Sequence, residues 1–153
     1  MYKRQIKELE TQIKQVMTLD SEIKKNNELA QSVIGIGPII SAFLIAYTNN
    51  YKTFSNPRKF SSYIGIAPFE NSSGKFKGKN KTSHLANKKL KSLLSNAVPA
   101  ALKYDVQIAK YKMRKLEENK EKGIIVNNIK NKILHRVFAV INRQSPYVKF
   151  KYA

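Results

Sequence analysis

The stretch SVIGIGPIISAFLI, residues 32–45, decides the fold of this chain. Apolar residues dominate it, and Gly35, Gly37 and Pro38 interrupt them near its middle. Glycine ends helices and proline fits the first turn of a helix, so the pattern predicts a helix end, a glycine turn and a second helix that begins at Pro38. The apolar-Gly-apolar-Gly order is typical of a helix-hairpin-helix.

The two glycines have two explanations. Glycine lets a turn approach a phosphate closely, and the amide groups at the start of the next helix favour an anion. Gly35 and Gly37 would then bind DNA without reading its sequence. Alternatively, the glycines only allow two helices to cross closely. The net charge of +19 favours the first explanation.

Helical spacing of apolar residues recurs towards the C-terminus. Pro57 begins a short helix through Ile64, and a leucine-rich helix follows that Pro99 should kink or split. A last helix spans about residues 124–141. No alternation is long enough to indicate a sheet, so the predicted fold class is mainly α.

Towards the N-terminus, residues 1–31 are predicted to form a helical arm ahead of a helical domain of residues 32–153. Apolar residues in the arm follow a three-four spacing that suits either a short coiled coil or a helix packed on its own domain. The apolar residues with this spacing are Ile6, Leu9, Ile13, Val16 and Ile23. Asp20 interrupts the pattern.

The chain carries 29 Lys and Arg against 10 Asp and Glu. Such a field attracts a polyanion, because each phosphate that binds a cation releases counterions. DNA or RNA is therefore the favoured partner, although an AT-rich genome also raises the lysine content. The absence of cysteine excludes disulfides, thiolate catalysis and zinc sites with cysteine ligands. With no signal peptide and no apolar stretch of membrane-spanning length, we expect a cytoplasmic protein without membrane contact.

Residues 67–81 show no periodicity and are predicted to form a loop. In this loop, Ser72, Ser73 and Gly74 are followed by several lysines. A serine hydroxyl attacks a phosphodiester when basic groups stabilise the developing charge. On the residues alone, a flexible loop that contacts phosphate is the more ordinary interpretation.

The order of the motifs resembles the C-terminal domain of the IS110/IS116/IS902 family of insertion-sequence transposases, which includes the Piv-type DNA invertases. The likeness runs from about Val33 to Ile141. The motifs that carry it are Ile34-Gly35-Ile36-Gly37-Pro38, Phe54-Ser55-Asn56-Pro57-Arg58-Lys59-Phe60, Tyr63-Ile64-Gly65-Ile66-Ala67-Pro68, Ser72-Ser73-Gly74, Lys81-Thr82-Ser83 and Asn87-Lys88-Lys89-Leu90-Lys91.

The resemblance implies an N-terminal RuvC-like domain with a metal-binding Asp-Glu-Asp-Asp tetrad, a coiled coil, and a helical domain that supplies a catalytic serine. Some members use a guide RNA. By motif position the serine is Ser73, with Ser72 as the alternative. Phosphate contacts are inferred from charge for Lys75, Lys77, Lys79, Lys81, Lys88 and Lys89.

This chain begins at Met1 inside the expected coiled coil, so we expect the RuvC-like domain to be missing and the chain to be inactive alone. Its scattered acids predict no metal site and no cofactor; a divalent ion such as Mg²⁺ would belong to the missing domain. The predicted role is DNA binding in transposition, with self-association or binding to full-length transposase through the N-terminal helix. The alternatives are a non-catalytic nucleic-acid binding module and a truncated remnant that regulates full-length transposase.

Overall fold

The computed structural model describes residues 2–54, 56–67, 72–73, 76–77 and 87–149. These residues form seven helices and one antiparallel hairpin, which confirms the mainly α fold class. The elements in chain order are α1 (Tyr2–Leu19), α2 (Ser21–Ser32), α3 (Pro38–Thr48), α4 (Pro57–Tyr63), β1 (Ser72–Ser73), β2 (Phe76–Lys77), α5 (Lys88–Tyr104), α6 (Val106–Glu117) and α7 (Lys122–Arg143).

Short polar side chains set where four of the helices begin. Asp20 separates α1 from α2, and its carboxylate accepts a hydrogen bond from the Ile23 amide at 2.9 Å. Asn56, Asn87 and Asp105 cap α4, α5 and α6 in the same way. Such caps satisfy amides that the first turn of a helix leaves without a partner. The break in the apolar pattern at Asp20 is therefore a boundary between two helices.

The C-terminal helices extend beyond the limits that the apolar spacing predicts. α5 continues from Lys88 to Tyr104, so the split predicted at Pro99 does not occur within these residues. Pro99 is exposed. The charged segment that follows is largely helical, because α6 ends at Glu117 and α7 already begins at Lys122.

α7 is the central helix of the fold. One face of it packs against α2, α4, α5 and α6. Phe60 of α4 and Leu94 of α5 have no exposed surface and belong to the same core. Burying a side chain of this kind contributes about 1.5–3 kcal/mol, so α7 organises most of the apolar stabilisation. Its buried residues are Ile125, Ile129, Lys130, Ile133, Leu134, Val137, Phe138, Val140 and Ile141.

None of the helices in the described ranges is long and apolar enough to cross a membrane. The longest, α7, has 22 residues and carries basic side chains along its length.

The two ends of α1 differ in their packing. Met17 is buried, and Ile13 packs against the core beside α2 and α3. The remaining apolar residues of the same seam, Ile6, Leu9 and Val16, are 56%, 58% and 61% exposed. α1 therefore packs on the domain through Ile13 and Met17, while Ile6, Leu9 and Val16 form an apolar seam that the described residues leave uncovered.

A buried amide network joins α2 to the end of α7. The Asn26 side chain donates to the Asn50 side chain at 2.9 Å, in the turn after α3. The Gln144 side chain donates to Asn26 at 3.1 Å and to the Ile141 carbonyl at 2.7 Å. Because Asn26 is only 4% exposed, these hydrogen bonds form where water cannot replace them. α2 is thus tied into the domain core.

Asp105 fixes the corner between α5 and α6. Its carboxylate caps α6 by accepting from the Ile108 amide at 3.0 Å and forms an ion pair with Arg136 of α7. Arg136 also donates to the Gln107 side chain at 2.9 Å, and its guanidinium lies over the ring of Tyr147. Asp105 is almost fully buried, so the ion pair neutralises a charge that water does not reach. The corner is held by charge as well as by packing.

We predict that Asp105→Ala lowers the free energy of unfolding by about 3–5 kcal/mol, because it removes the cap and leaves Arg136 without its carboxylate. Asp105→Asn keeps a capping oxygen but removes the charge, so its loss of stability should be smaller. Urea denaturation followed by circular dichroism measures both. An Asp105→Asn variant as stable as the wild type would show that the ion pair contributes nothing to stability.

Candidate nucleic-acid interface

The glycine turn between α2 and α3 places its two glycines in different surroundings. Gly35 has φ +95°, and a Cβ atom there would lie 2.6 Å from the Ala97 carbonyl oxygen of α5. Only a glycine fits this close approach without strain. Gly35 therefore allows α5 to pack closely against this turn, as the second explanation requires, and its DNA contact stays a prediction.

Gly37 is the N-cap of α3, with φ −92° and ψ 175°, followed by Pro38 in the first turn. A Cβ atom at Gly37 would meet nothing within 4 Å, so the space beside it is open. The start of α3 is thus accessible to an anion, as the first explanation requires. The helix-hairpin-helix identification itself stays a prediction.

The described residues on either side of the serine loop lie close together on the domain. The carbonyl of Ser61 accepts from the amides of Ile66 and Ala67 at 2.9 and 3.2 Å, just before the segment 68–86. The carbonyl of Tyr63 accepts from the Asn87 amide at 3.4 Å, just after that segment. The chain therefore leaves α4 and returns to α5 at neighbouring positions, which we call the loop base.

Ser72 and Ser73 form β1 of the hairpin, with Ser72 paired to Lys77 and Ser73 paired to Phe76. Residues 74 and 75 join the two strands, so Ser73 is the last paired residue before the connection. This is the backbone position that the structure gives to the candidate serine. Of the predicted phosphate contacts, Lys75, Lys79 and Lys81 lie outside the described residues.

Lys88 and Lys89 occupy the first turn of α5, and both side chains are exposed. Asn87 caps this turn by accepting from the Leu90 amide at 3.1 Å. Arg58 and Lys59 are exposed in the first turn of α4, the short helix whose last turn leads into the loop. Basic side chains are thus exposed on both of the helices that flank the loop in sequence.

A further basic surface lies on α7 beyond the loop base. Asn131, Lys132, His135 and Arg136 line an open cleft there. The Lys132 ammonium lies 4.5 Å from the ring centroid of Tyr111. Partial burial and the neighbouring Lys132 lower the pKa of His135. His135 is therefore mainly neutral near pH 7, and because Arg136 is paired with Asp105, the positive charge that the cleft presents is that of Lys132.

The acids of the described residues do not converge. No group of three or more His, Asp or Glu side chains there has the geometry to hold a metal ion. Asp105 pairs with Arg136, and Glu118 lies within reach of Arg114 and Lys115 at the end of α6. The Lys115 hydrogen bond is the main reason that the pKa of Glu118 is lowered.

Sequence reasoning missed the contribution of α7 to the loop base. The Ser61 hydroxyl donates to the Asn131 side chain at 2.6 Å, across 70 positions of sequence. Lys130 precedes Asn131 and is buried, with only 5% of its surface exposed. A signal was present, because Lys130 stands four residues after Val126 and three before Ile133, on the apolar stripe of its helix.

We predict that Gly35→Ala lowers the free energy of unfolding by about 1–3 kcal/mol, from the left-handed backbone and the contact with Ala97. Gly37→Ala is the matched control and should cost less than about 1 kcal/mol, because its backbone is extended and the space is open. Urea denaturation compares the two. Equal losses would contradict the different roles assigned to the glycines.

A protein-family model described as Transposase IS116/IS110/IS902 family matches residues 27–113. The matched range runs from within α2 to within α6 and includes the glycine turn, the serine hairpin and the loop base. It covers more than half of the 153 residues. A search of curated protein sequences gives no match.

Proposed function

The chain belongs to the IS116/IS110/IS902 family of transposases, with a role in DNA transposition, and on that premise we propose that it binds DNA through the surface around the loop base. We propose further that Ser73 of the hairpin is the nucleophile for strand cleavage and rejoining. The family match supports the first proposal most directly. The second depends on the motif position of Ser73.

The distribution of charge carries the DNA-binding proposal. Between residues 52 and 104 the sequence has 11 Lys and Arg against a single acid, Glu70. The other acids fall between residues 8 and 28 or between residues 105 and 121. Repulsion among cations that have no nearby carboxylates destabilises the free domain, whereas a nucleic-acid backbone neutralises them. The region rich in unbalanced positive charge is the one that holds the serine loop.

Serine chemistry fits this surface. The Ser73 hydroxyl would lose its proton and attack the phosphorus of a DNA phosphodiester, and one strand end would leave as a hydroxyl group that takes up a proton. The phosphoserine link keeps the energy of the broken bond, so attack by a hydroxyl end in the reverse direction rejoins a strand. Cations around the loop would stabilise the charge that develops on the phosphate oxygens.

The remaining parts of the proposal concern partners and domain organisation. The division into an arm of residues 1–31 and a domain of residues 32–153 stays a prediction. The exposed seam of Ile6, Leu9 and Val16 supports pairing of α1 with a second copy or with full-length transposase. A guide RNA would use the same basic surface. Any divalent metal would be held by a RuvC-like domain supplied with this one.

If the domain binds DNA at the loop base, removing the positive charges there should weaken DNA binding more than removing the same number of charges elsewhere. In Lys88→Gln/Lys89→Gln, the slope of log affinity for duplex DNA against log salt should fall by about 2, since each phosphate contact contributes about 0.9. Fluorescence anisotropy with a labelled duplex across a salt series measures this slope.

The matched control is Lys24→Gln/Lys25→Gln, which removes two adjacent exposed lysines from α2 and leaves the same net charge. Its slope should stay close to that of the wild type. If the two double variants lose affinity equally, binding follows net charge alone and the assigned surface is wrong.

We predict that Ser73→Ala abolishes the covalent protein–DNA adduct while duplex affinity stays within about twofold of the wild type, because one neutral hydroxyl contributes little to phosphate binding. Ser72→Ala is the control and should keep the adduct. The adduct is detected on a denaturing gel, with a RuvC-like domain of the family added in trans. Adduct formation by Ser73→Ala would leave the non-catalytic nucleic-acid binding module as the better account.

A further inference from the structure

A groove lies between the end of α5 and one face of α6, and we call it the α6 groove. Its volume is about 370 Å³. Val106 and Met113 line it and are 48% and 60% exposed, and Leu116 on the same face is 37% exposed. Ile108, on a different face of α6, is buried in the core. α6 therefore has a second apolar face, which the described residues leave uncovered.

The apolar positions of this face have the same spacing as those of α1. In α6 they are Val106, Ala109, Met113 and Leu116, and in α1 they are Ile6, Leu9, Ile13 and Val16. Steps of three, four and three residues place each set along one side of its helix, as the a and d positions of two heptads. Each helix thus presents a seam of the kind that packs against another helix.

Within one chain the two seams do not meet. Among the described residues, α1 packs against α2 and α3 and not against α6. The Ile6, Leu9 and Val16 side chains consequently remain exposed. Two uncovered apolar seams on one molecule are both covered if α1 of one copy lies on α6 of another.

An antiparallel arrangement matches the two seams position by position. The opposed residues are then Ile6 with Leu116, Leu9 with Met113, Ile13 with Ala109 and Val16 with Val106. Ala109, the smallest residue of its seam, faces Ile13, which already packs partly against its own core. The larger exposed residues of α1 face the larger residues of α6. The two seams are therefore complementary in size.

Charges beside the seams favour the same antiparallel direction. In this arrangement Glu10 lies next to Lys110. Lys3 lies next to Glu117 at the other end of the contact. In a parallel arrangement of the same seams, Glu10 would lie next to another acid, Asp105. Opposite charges beside an apolar seam set the direction and the register of paired helices.

We propose that α1 of one copy of this chain packs antiparallel on the α6 groove of a second copy, and that the second copy returns the same contact. A stable dimer buries about 800 Å² on each partner, which is large for a single pair of short helices. A reciprocal exchange about a two-fold axis forms the contact twice. The inference rests on the self-association of α1 in the proposed function, and it requires neither DNA binding nor Ser73.

Sedimentation equilibrium of the full chain measures the dimer directly. The wild type should be a dimer, and Leu9→Asn and Met113→Asn each place a polar side chain in one of the two seams. Both residues are exposed in the single copy, so the fold should tolerate these changes. Each variant should raise the dissociation constant at least about tenfold, because apolar contact is lost at both copies of the interface.

Ile124→Asn is the matched control, because Ile124 is 49% exposed on α7 and belongs to neither seam. Its dissociation constant should stay within about twofold of the wild type. A monomeric wild type overturns the interface. A Met113→Asn protein that dimerises as tightly as the control does so as well.

Charge reversal distinguishes this interface from pairing of α1 with α1 of the second copy. Glu10→Lys and Lys110→Glu should each weaken the dimer about threefold or more, and the double variant should return to within about twofold of the wild type. Pairing between two α1 helices would leave Lys110→Glu without effect and the double variant no tighter than Glu10→Lys. Either of these results overturns the interface.

Binding of labelled duplex DNA by the same proteins separates the interface from the proposed function. If the wild type is a dimer that depends on Leu9 and Met113 but binds no DNA, the DNA-binding proposal fails and the interface stands. If the wild type binds DNA while Met113→Asn dimerises like the control, the interface is wrong and the DNA-binding proposal stands.

Discussion

Burial of one face of α7 is the constraint on which the rest of this structure depends. Four other helices cover that face, and the core residues of α4 and α5 gain their burial from it. Because α7 is the last helix of the described residues, its contacts with α2 and α4 join segments that are far apart in the sequence. The contacts that close the fold, Ser61 with Asn131 and Asp105 with Arg136, both reach forward to α7.

The same packing brings the functional surface together. α4 and α5 are separated by the serine loop in sequence, but α7 holds their facing ends side by side. The segment that contains the serine loop thus begins and ends at neighbouring positions of the folded domain, next to the exposed Lys88 and Lys89.

Ion pairs and unbalanced positive charge lie in different parts of the sequence. Glu22 of α2 and Glu118, just after α6, form surface ion pairs with Lys52 and Lys115, and Asp105 forms a buried ion pair with Arg136. Between residues 52 and 104, by contrast, the sequence has a single acid, Glu70, against 11 Lys and Arg. Exposed cations of this region, such as Lys88 and Lys89, are therefore the ones that a polyanion would neutralise.

The sequence by itself determined the helical fold class, the start of a helix at Pro38, and the transposase family, because each depends on residues close together or on the order of motifs. The different surroundings of Gly35 and Gly37, the Asp105–Arg136 pair and the hydrogen bond from Ser61 to Asn131 required the tertiary structure. These involve partners far apart in the chain, such as Gly35 with Ala97. Periodicity states which face of a helix is apolar, but only packing decides what that face meets.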